Sequence, residues 1–85
     1  MTQKKTVQVK FLGIQRLATE KDSVTIELFG IMRVGDVLEL VKSRYPELDL
    51  DEDSVVTTVN QEKAYPERLL RAGDIISFLP FISGG

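Results

Sequence analysis

Residues 70–85 read LRAGDIISFLPFISGG, and this stretch combines a turn, a strand and an apolar ending. The Gly-Asp pair at positions 73–74 is typical of a turn. Ile76 and Phe78 then alternate with the residues between them, as the two faces of a strand do. The sequence therefore predicts a final strand over residues 75–79, with Phe78 in the core.

The segment after this strand is unusual because it stays apolar almost to its end. Domains commonly finish in polar, poorly ordered sequence, whereas here Ile82 is followed only by Ser83, Gly84 and Gly85. A glycine pair has no Cβ atoms and fits a channel too narrow for any other residue pair. We therefore expect a flexible tail at residues 80–85, with its terminal carboxylate as the reactive group.

The first part of the chain predicts an antiparallel hairpin. One strand over residues 6–12 and a second over residues 24–28 both alternate apolar with polar residues. The polar segment 13–22 between them is predicted to be a turn. The inward-facing residues of the two strands are Val7, Val9, Phe11, Val24, Ile26 and Leu28.

The hydrophobic period then changes to that of a helix over about residues 35–45. Asp36 suits the positive end of the helix dipole, and Pro46 disfavours helical geometry at Tyr45. The stripe that should face the sheet consists of Val34, Val37, Leu38, Val41 and Tyr45.

A third strand is predicted over residues 55–59, followed by a turn at 60–62 where Asn60 tolerates positive φ. The run is apolar or β-branched throughout, so residues 55, 57 and 59 or residues 56 and 58 could face inward. A short strand is predicted at 64–65, and Leu69 and Leu70 are expected to fill the core from a loop.

These elements predict an α+β, two-layer domain formed by residues 1–85. The longest apolar alternations are the first and last strands. They should therefore pair in the middle of a mixed four- to five-stranded sheet, with one main helix packed on one face.

Composition narrows the classes of function. The chain contains no cysteine, which excludes a thiol nucleophile and thiolate ligands for zinc. It contains no histidine either, and histidine is the commonest general base and metal ligand. A net charge of −2 does not suit nucleic acid, which calls for a basic face. There is no signal-peptide pattern and no long apolar run, so we expect a cytoplasmic protein that binds no membrane and no metal.

Five segments carry a family resemblance: Phe11-Leu12-Gly13, Arg33-Val34, Val59-Asn60-Gln61-Glu62, Gly73-Asp74 and Pro80-Phe81-Ile82-Ser83-Gly84-Gly85. Through them the sequence resembles the ubiquitin-like β-grasp sulfur carriers, among them the small subunit of molybdopterin synthase. It departs from their pattern in three positions. Phe81 stands where a second proline is usual, which predicts a less stiff tail, and Gln61 stands where a turn glycine is usual. Arg33 stands where a helix-capping threonine is usual, which predicts a weaker cap.

The resemblance implies a ubiquitin-like β-grasp fold and a function centred on Gly85. An ATP-dependent adenylyltransferase of the ubiquitin-activating type would adenylate its carboxylate, and a sulfur donor protein would convert it to a thiocarboxylate. That sulfur would pass to a pterin precursor in the large subunit of molybdopterin synthase. This chain would bind no cofactor, and ATP would be used by the activating partner.

The tail and one sheet face are predicted to bind these partners. Gly84 and Ser83 would thread into a partner channel. Lys4, Lys5 and Lys10 are expected only to make the N-terminus soluble. The predicted partner-binding residues are Phe81, Ile82 and Pro80 on the tail, and Leu79, Ile75 and Leu12 on the face without the helix.

Other functions remain open at this point. Relatives that carry sulfur for thiazole formation or tRNA thiolation, and ubiquitin-like modifiers, share the same terminal chemistry. A β-grasp module that binds proteins and is never activated is a different class, and an RNA-binding β-grasp domain is disfavoured by the acidic balance.

Overall fold

A computed structural model describes residues 4–80, which form five strands and two helices. In chain order these are β1 (Thr6–Lys10), α1 (Ile14–Thr19), β2 (Ser23–Glu27), α2 (Val34–Arg44), β3 (Val55–Val59), β4 (Glu62–Lys63) and β5 (Ile75–Pro80).

The strands form one mixed sheet in the order β2-β1-β5-β3-β4. The first and last strands lie side by side and parallel, with Lys10 opposite Ser77. The β1–β2 and β3–β5 pairs are antiparallel. This confirms the predicted mixed sheet with the first and last strands in its centre.

Helix α2 covers one face of this sheet and creates the core. Its buried residues Val34, Val37 and Val41 recur at helical spacing, as predicted. On the sheet side, Val9 and Phe78 have no exposed surface at all. The buried cluster also includes Val7, Phe11, Ile26, Leu50, Val55, Val59, Ala64, Leu70 and Ile76.

The start of α2 compensates for its missing threonine cap. The Asp36 carboxylate accepts a hydrogen bond from the Arg33 backbone N–H at 2.8 Å, which satisfies one donor at the helix start. The Arg33 guanidinium instead donates to the backbone oxygen of Glu67 at 2.6 Å. At the other end, Tyr45 caps the helix before the proline and packs its ring edge-on against Phe11, 5.4 Å between centroids.

The prediction of a plain turn over residues 13–22 is wrong, because this segment contains helix α1. The helix had no apolar stripe to reveal it. Its buried residues are polar, Gln15 and Thr19, whereas Ile14 and Leu17 are each 80% exposed. Gly13 precedes α1 with φ 53° and ψ −121°, a conformation that only glycine adopts readily.

The short strand that follows β3 begins earlier than predicted. Asn60 and Gln61 have φ values of 53° and 72°, so they form a tight two-residue turn. Val59 therefore pairs directly with Glu62, and the short strand is Glu62–Lys63 instead of residues 64–65.

The strand register decides which side of β3 faces the core. Thr57 and Val59 lie opposite the buried Phe78 and Ile76, so residues 55, 57 and 59 are the set that faces α2.

The two leucines at positions 69 and 70 differ in burial. Leu70 is buried as expected, but Leu69 is 52% exposed and forms an isolated bridge with Arg33. The core is thus filled by one leucine of the pair.

Candidate partner-binding face and tail exit

The sheet face opposite α2, called here the open face, brings together the three apolar residues predicted to lie on it. Because Ile76 and Phe78 of β5 point into the core, Ile75 and Leu79 point to the other side. Leu12, just past β1, lines the same shallow depression. The depression is lined by Lys10, Leu12, Thr58, Asn60, Gln61, Ile75, Ser77 and Leu79.

These leucines remain accessible to a partner. Leu12 is 37% exposed and Leu79 is 43% exposed, while Ile75 is partly buried. Because contiguous exposed apolar surface is common at interaction sites, this cluster is the candidate partner-binding surface. The structure places the three residues together, and their role in partner binding stays a prediction.

The open face lies beside the point where the chain leaves the sheet. Pro80 was predicted to begin the tail, but it is the last residue of β5 and lies opposite Val55 of β3. Leu79 therefore borders both the open face and the exit of the chain. The remaining predicted site residues, Phe81, Ile82, Ser83, Gly84 and Gly85, lie outside the described residues.

A buried glutamine on α1 holds the exit end of the open face in place. The Gln15 side-chain amide donates to the backbone oxygen of Phe78 at 2.8 Å, and its oxygen accepts from the Leu12 backbone N–H at 3.1 Å. One side chain, 6% exposed, thus links the segments that carry Leu12 and Leu79. Sequence reasoning missed Gln15, because a single polar residue within a polar segment carries no periodic signal.

A second polar group holds the other end of β5. Asp74 is 9% exposed and accepts hydrogen bonds from the Asn60 side-chain amide at 2.9 Å and from the Arg71 backbone N–H at 2.8 Å. The Asn60 oxygen in turn accepts from the Ile75 backbone N–H at 3.0 Å. Hydrogen bonds of the buried Gln15 and Asp74 side chains therefore hold both ends of β5. They fix the positions of Ile75 and Leu79 on the open face.

The depression on the open face is lined by one charged residue. Lys10 is the single charged residue that lines the depression, and its other lining residues are apolar or neutral. The ion pairs within residues 4–80 lie elsewhere, between Arg16 and Asp22 and between Lys42 and Asp51. The depression thus presents apolar side chains around one positive charge.

A separate cleft of about 240 Å³ lies on the helix side, between α2 and the β3–β4 edge. The charged residues in its lining are Glu52 and Lys63, and Lys63 stacks over the Tyr65 ring at 5.3 Å. Within residues 4–80 no three acidic side chains are grouped as ligands for a metal ion. No helix in that part of the chain has the length and apolar character to cross a membrane.

The mixed sheet with parallel central strands and one covering helix defines a ubiquitin-like β-grasp protein, as its structural relatives confirm. The ThiS family profile matches residues 9–85. The chain belongs to the ThiS family, and its fold is that of a ubiquitin-like sulfur carrier.

Three solved structures illustrate the range of relatives. The putative molybdopterin converting factor subunit 1 from Pyrococcus furiosus is 28% identical, with a TM-score of 0.80 over 92% of this chain and 99% of that one. Small archaeal modifier protein 1 from Methanosarcina acetivorans is 25% identical, with a TM-score of 0.77 over 99% and 100%. A chain of the Amycolatopsis orientalis BexX/CysO complex is 27% identical, with a TM-score of 0.66 over 93% and 99%. No curated protein gives a significant sequence match.

Proposed function

We propose that this chain is the sulfur-donating small subunit of molybdopterin synthase, with Gly85 as the residue that carries the sulfur. The observation that supports this role most is the likeness to the Pyrococcus furiosus molybdopterin converting factor subunit 1 over nearly the whole of both chains. The ThiS family match, which runs through Gly85, supports the terminal chemistry.

The chemistry begins with activation of a poor electrophile. The Gly85 carboxylate attacks the α-phosphorus of ATP in an activating enzyme and releases pyrophosphate, which gives an acyl-adenylate. Sulfur at the oxidation level of sulfide, supplied by a donor protein, then displaces AMP. The product is a terminal thiocarboxylate, whose soft anionic sulfur is a competent nucleophile without a neighbouring base.

The described residues contribute docking to this scheme. The open face, with Leu12, Ile75 and Leu79, would rest on the partner, and the chain would leave toward the partner's active site from Pro80. The five residues that follow span at most about 18 Å when extended. This reach is sufficient for Gly85 to enter a pocket next to the docking surface.

The proposal implies three protein partners and no cofactor on this chain. The partners are the large synthase subunit, an ATP-dependent adenylyltransferase of the ubiquitin-activating type, and a sulfur donor protein. ATP would be bound by the adenylyltransferase. The pterin precursor would be bound by the large subunit, and this chain would have no catalytic activity alone.

A second candidate is a modifier or a carrier that supplies sulfur to another pathway. It is favoured by the likeness to small archaeal modifier protein 1 at 25% identity and to a chain of the BexX/CysO complex at 27%. Such proteins would share the activation step and differ in the acceptor of the activated glycine.

The decisive experiment follows Gly85 from activation to transfer. The chain is expressed with a native carboxyl end in its source organism, and its intact mass is measured. We expect a species in which one oxygen is exchanged for sulfur, and we expect it to be absent when Gly85 is deleted and retained in the matched variant Ser83→Ala.

The thiocarboxylate form is then mixed with the organism's large synthase subunit and the pterin precursor. Formation of the dithiolene product supports the synthase role. Transfer to lysines of other proteins, without dithiolene formation, would support the modifier. An unmodified mass in the source organism, or a natural chain that continues past residue 85 and is never trimmed, would contradict both.

A further inference from the structure

We infer that Lys10 is a specificity-determining residue of the open face, which contacts a carboxylate on the surface of the protein partner that docks there. This inference rests on the proposed function, because it assumes that the open face meets the activating adenylyltransferase. It assigns to Lys10 a role in recognition, where the sequence predicted only a contribution to solubility.

The strand register isolates the Lys10 ammonium. Lys10 lies opposite Ser77 of β5 on one side and opposite Ser23 of β2 on the other. Residues directly opposite in a sheet project from the same face and are the closest neighbours of a side chain. Both neighbours of Lys10 are therefore small and uncharged.

The acidic residues in and next to β2 do not form an ion pair with Lys10. Asp22, next to Ser23, is paired with Arg16 at 3.0 Å. Glu27 lies at the far end of β2, opposite Thr6. Within residues 4–80 Lys10 forms no ion pair, so its charge is available to a partner.

The surroundings of Lys10 determine which partners the face accepts. A docked protein that covers Leu12, Ile75 and Leu79 also removes water from Lys10. Burying an ammonium without a counter-charge is costly, whereas a carboxylate that faces it restores the lost hydration with a charge-assisted hydrogen bond. An apolar surface without a well-placed acid would leave the Lys10 charge buried and unpaired, so it would bind more weakly. Lys10 therefore favours the correct partner by penalising the others.

A protein partner fits this face better than nucleic acid does. Phosphate backbones are bound by several cations together, whereas here one lysine stands among apolar and neutral residues. The net charge of the whole chain is −2, which repels a polyanion. The face is complementary to an apolar protein surface that carries one acidic side chain.

The first test measures activation by the source organism's ATP-dependent adenylyltransferase as ATP–pyrophosphate exchange. For Lys10→Glu we expect the concentration of this chain at half-maximal exchange to rise at least about tenfold, with the rate at saturation unchanged. Lys10→Arg should stay within about threefold of the natural chain. The matched control Lys5→Glu carries the same charge change beyond the opposite end of β1 and should have no effect.

The second test identifies the carboxylate by zero-length carbodiimide cross-linking of the same complex. We expect an amide bond between the Lys10 ammonium and an aspartate or glutamate of the adenylyltransferase, and its loss in Lys10→Arg. Lys10 variants should keep the unfolding temperature of the natural chain, because the residue is exposed.

The outcomes separate the two proposals. If the natural chain supports no exchange, the proposed function fails and this inference fails with it. If the natural chain supports exchange but Lys10→Glu behaves like Lys5→Glu, or no cross-link forms at Lys10, the role of Lys10 is wrong and the proposed function stands. Tight binding of single-stranded RNA that weakens in Lys10→Glu would also overturn the assignment of a protein partner.

Discussion

The two sides of strand β5 differ in how they use the same apolar alternation. On the side of α2, Ile76 and Phe78 are 1% and 0% exposed, and they stabilise the fold. On the other side, Ile75 and Leu79 flank Ser77, and Leu79 keeps 43% of its surface exposed. One strand thus supplies the core with one set of residues and a docking surface with the next. Stability and partner binding should therefore be separable at adjacent positions.

The largest effect is expected on the covered side. Phe78→Ala removes a fully buried ring and leaves a cavity, which should lower the free energy of unfolding by about 3–5 kcal/mol. Denaturant unfolding followed by circular dichroism measures this loss. A domain of this size has little stability in reserve, so Phe78→Leu serves as a milder variant with a smaller loss. A loss for Phe78→Ala below about 1 kcal/mol would show that the side chain is not in the core.

A smaller loss of stability is expected at the start of β5, where the Asp74 carboxylate and the Asn60 amide hold the strand in place. Asp74→Ala leaves the Asn60 amide and the Arg71 backbone N–H without their acceptor, which should cost about 1–3 kcal/mol. Combining it with Asn60→Ala in a double-mutant cycle tests the shared bond, and the two losses should add to more than the loss in the double variant. Fully additive losses would contradict a direct interaction between these side chains.

The covered side of the sheet could be predicted from the sequence because burial there follows strict periods. Val7, Val9 and Phe11 repeat every second residue, and Val37 and Val41 repeat at helical spacing. The structure buries all five. When one face of a strand or helix packs against the other layer, its apolar residues repeat at a regular spacing. That spacing is sufficient to locate the core from the sequence.

The open face could be predicted only in part. The alternation placed Leu12, Ile75 and Leu79 on one side, and they do share a surface. The Gln15 side chain that supports this face could not be predicted, because it acts through two single hydrogen bonds. Such bonds leave no periodic pattern in the sequence. Helix α1 was missed for the same reason, since its buried residues are polar. The uncharged neighbours of Lys10 also could not be predicted, because they depend on the strand register. That register is set by pairing between segments far apart in the sequence.

The smallest change in stability, and the sharpest test of the contrast between the two sides, is expected at Leu79. Leu79→Ala removes a side chain that already keeps 43% of its surface in water, so the free energy of unfolding should fall by less than about 1 kcal/mol. Leu40→Ala on α2 is a matched control, because Leu40 is 39% exposed and lies away from the open face. Both variants should unfold at nearly the same denaturant concentration.

The two leucine variants should differ once a partner is present. If the open face docks on the activating enzyme, Leu79→Ala loses apolar area that only the complex buries. The chain concentration at half-maximal pyrophosphate exchange should then rise roughly tenfold, which corresponds to about 1.4 kcal/mol, while Leu40→Ala leaves it unchanged. Equal behaviour of the two variants in exchange would mean that the exposed leucine beside the chain exit is ordinary surface. In that case the alternation in β5 would serve the fold alone, and the docking surface would have to be sought on α1, where Ile14 and Leu17 are exposed.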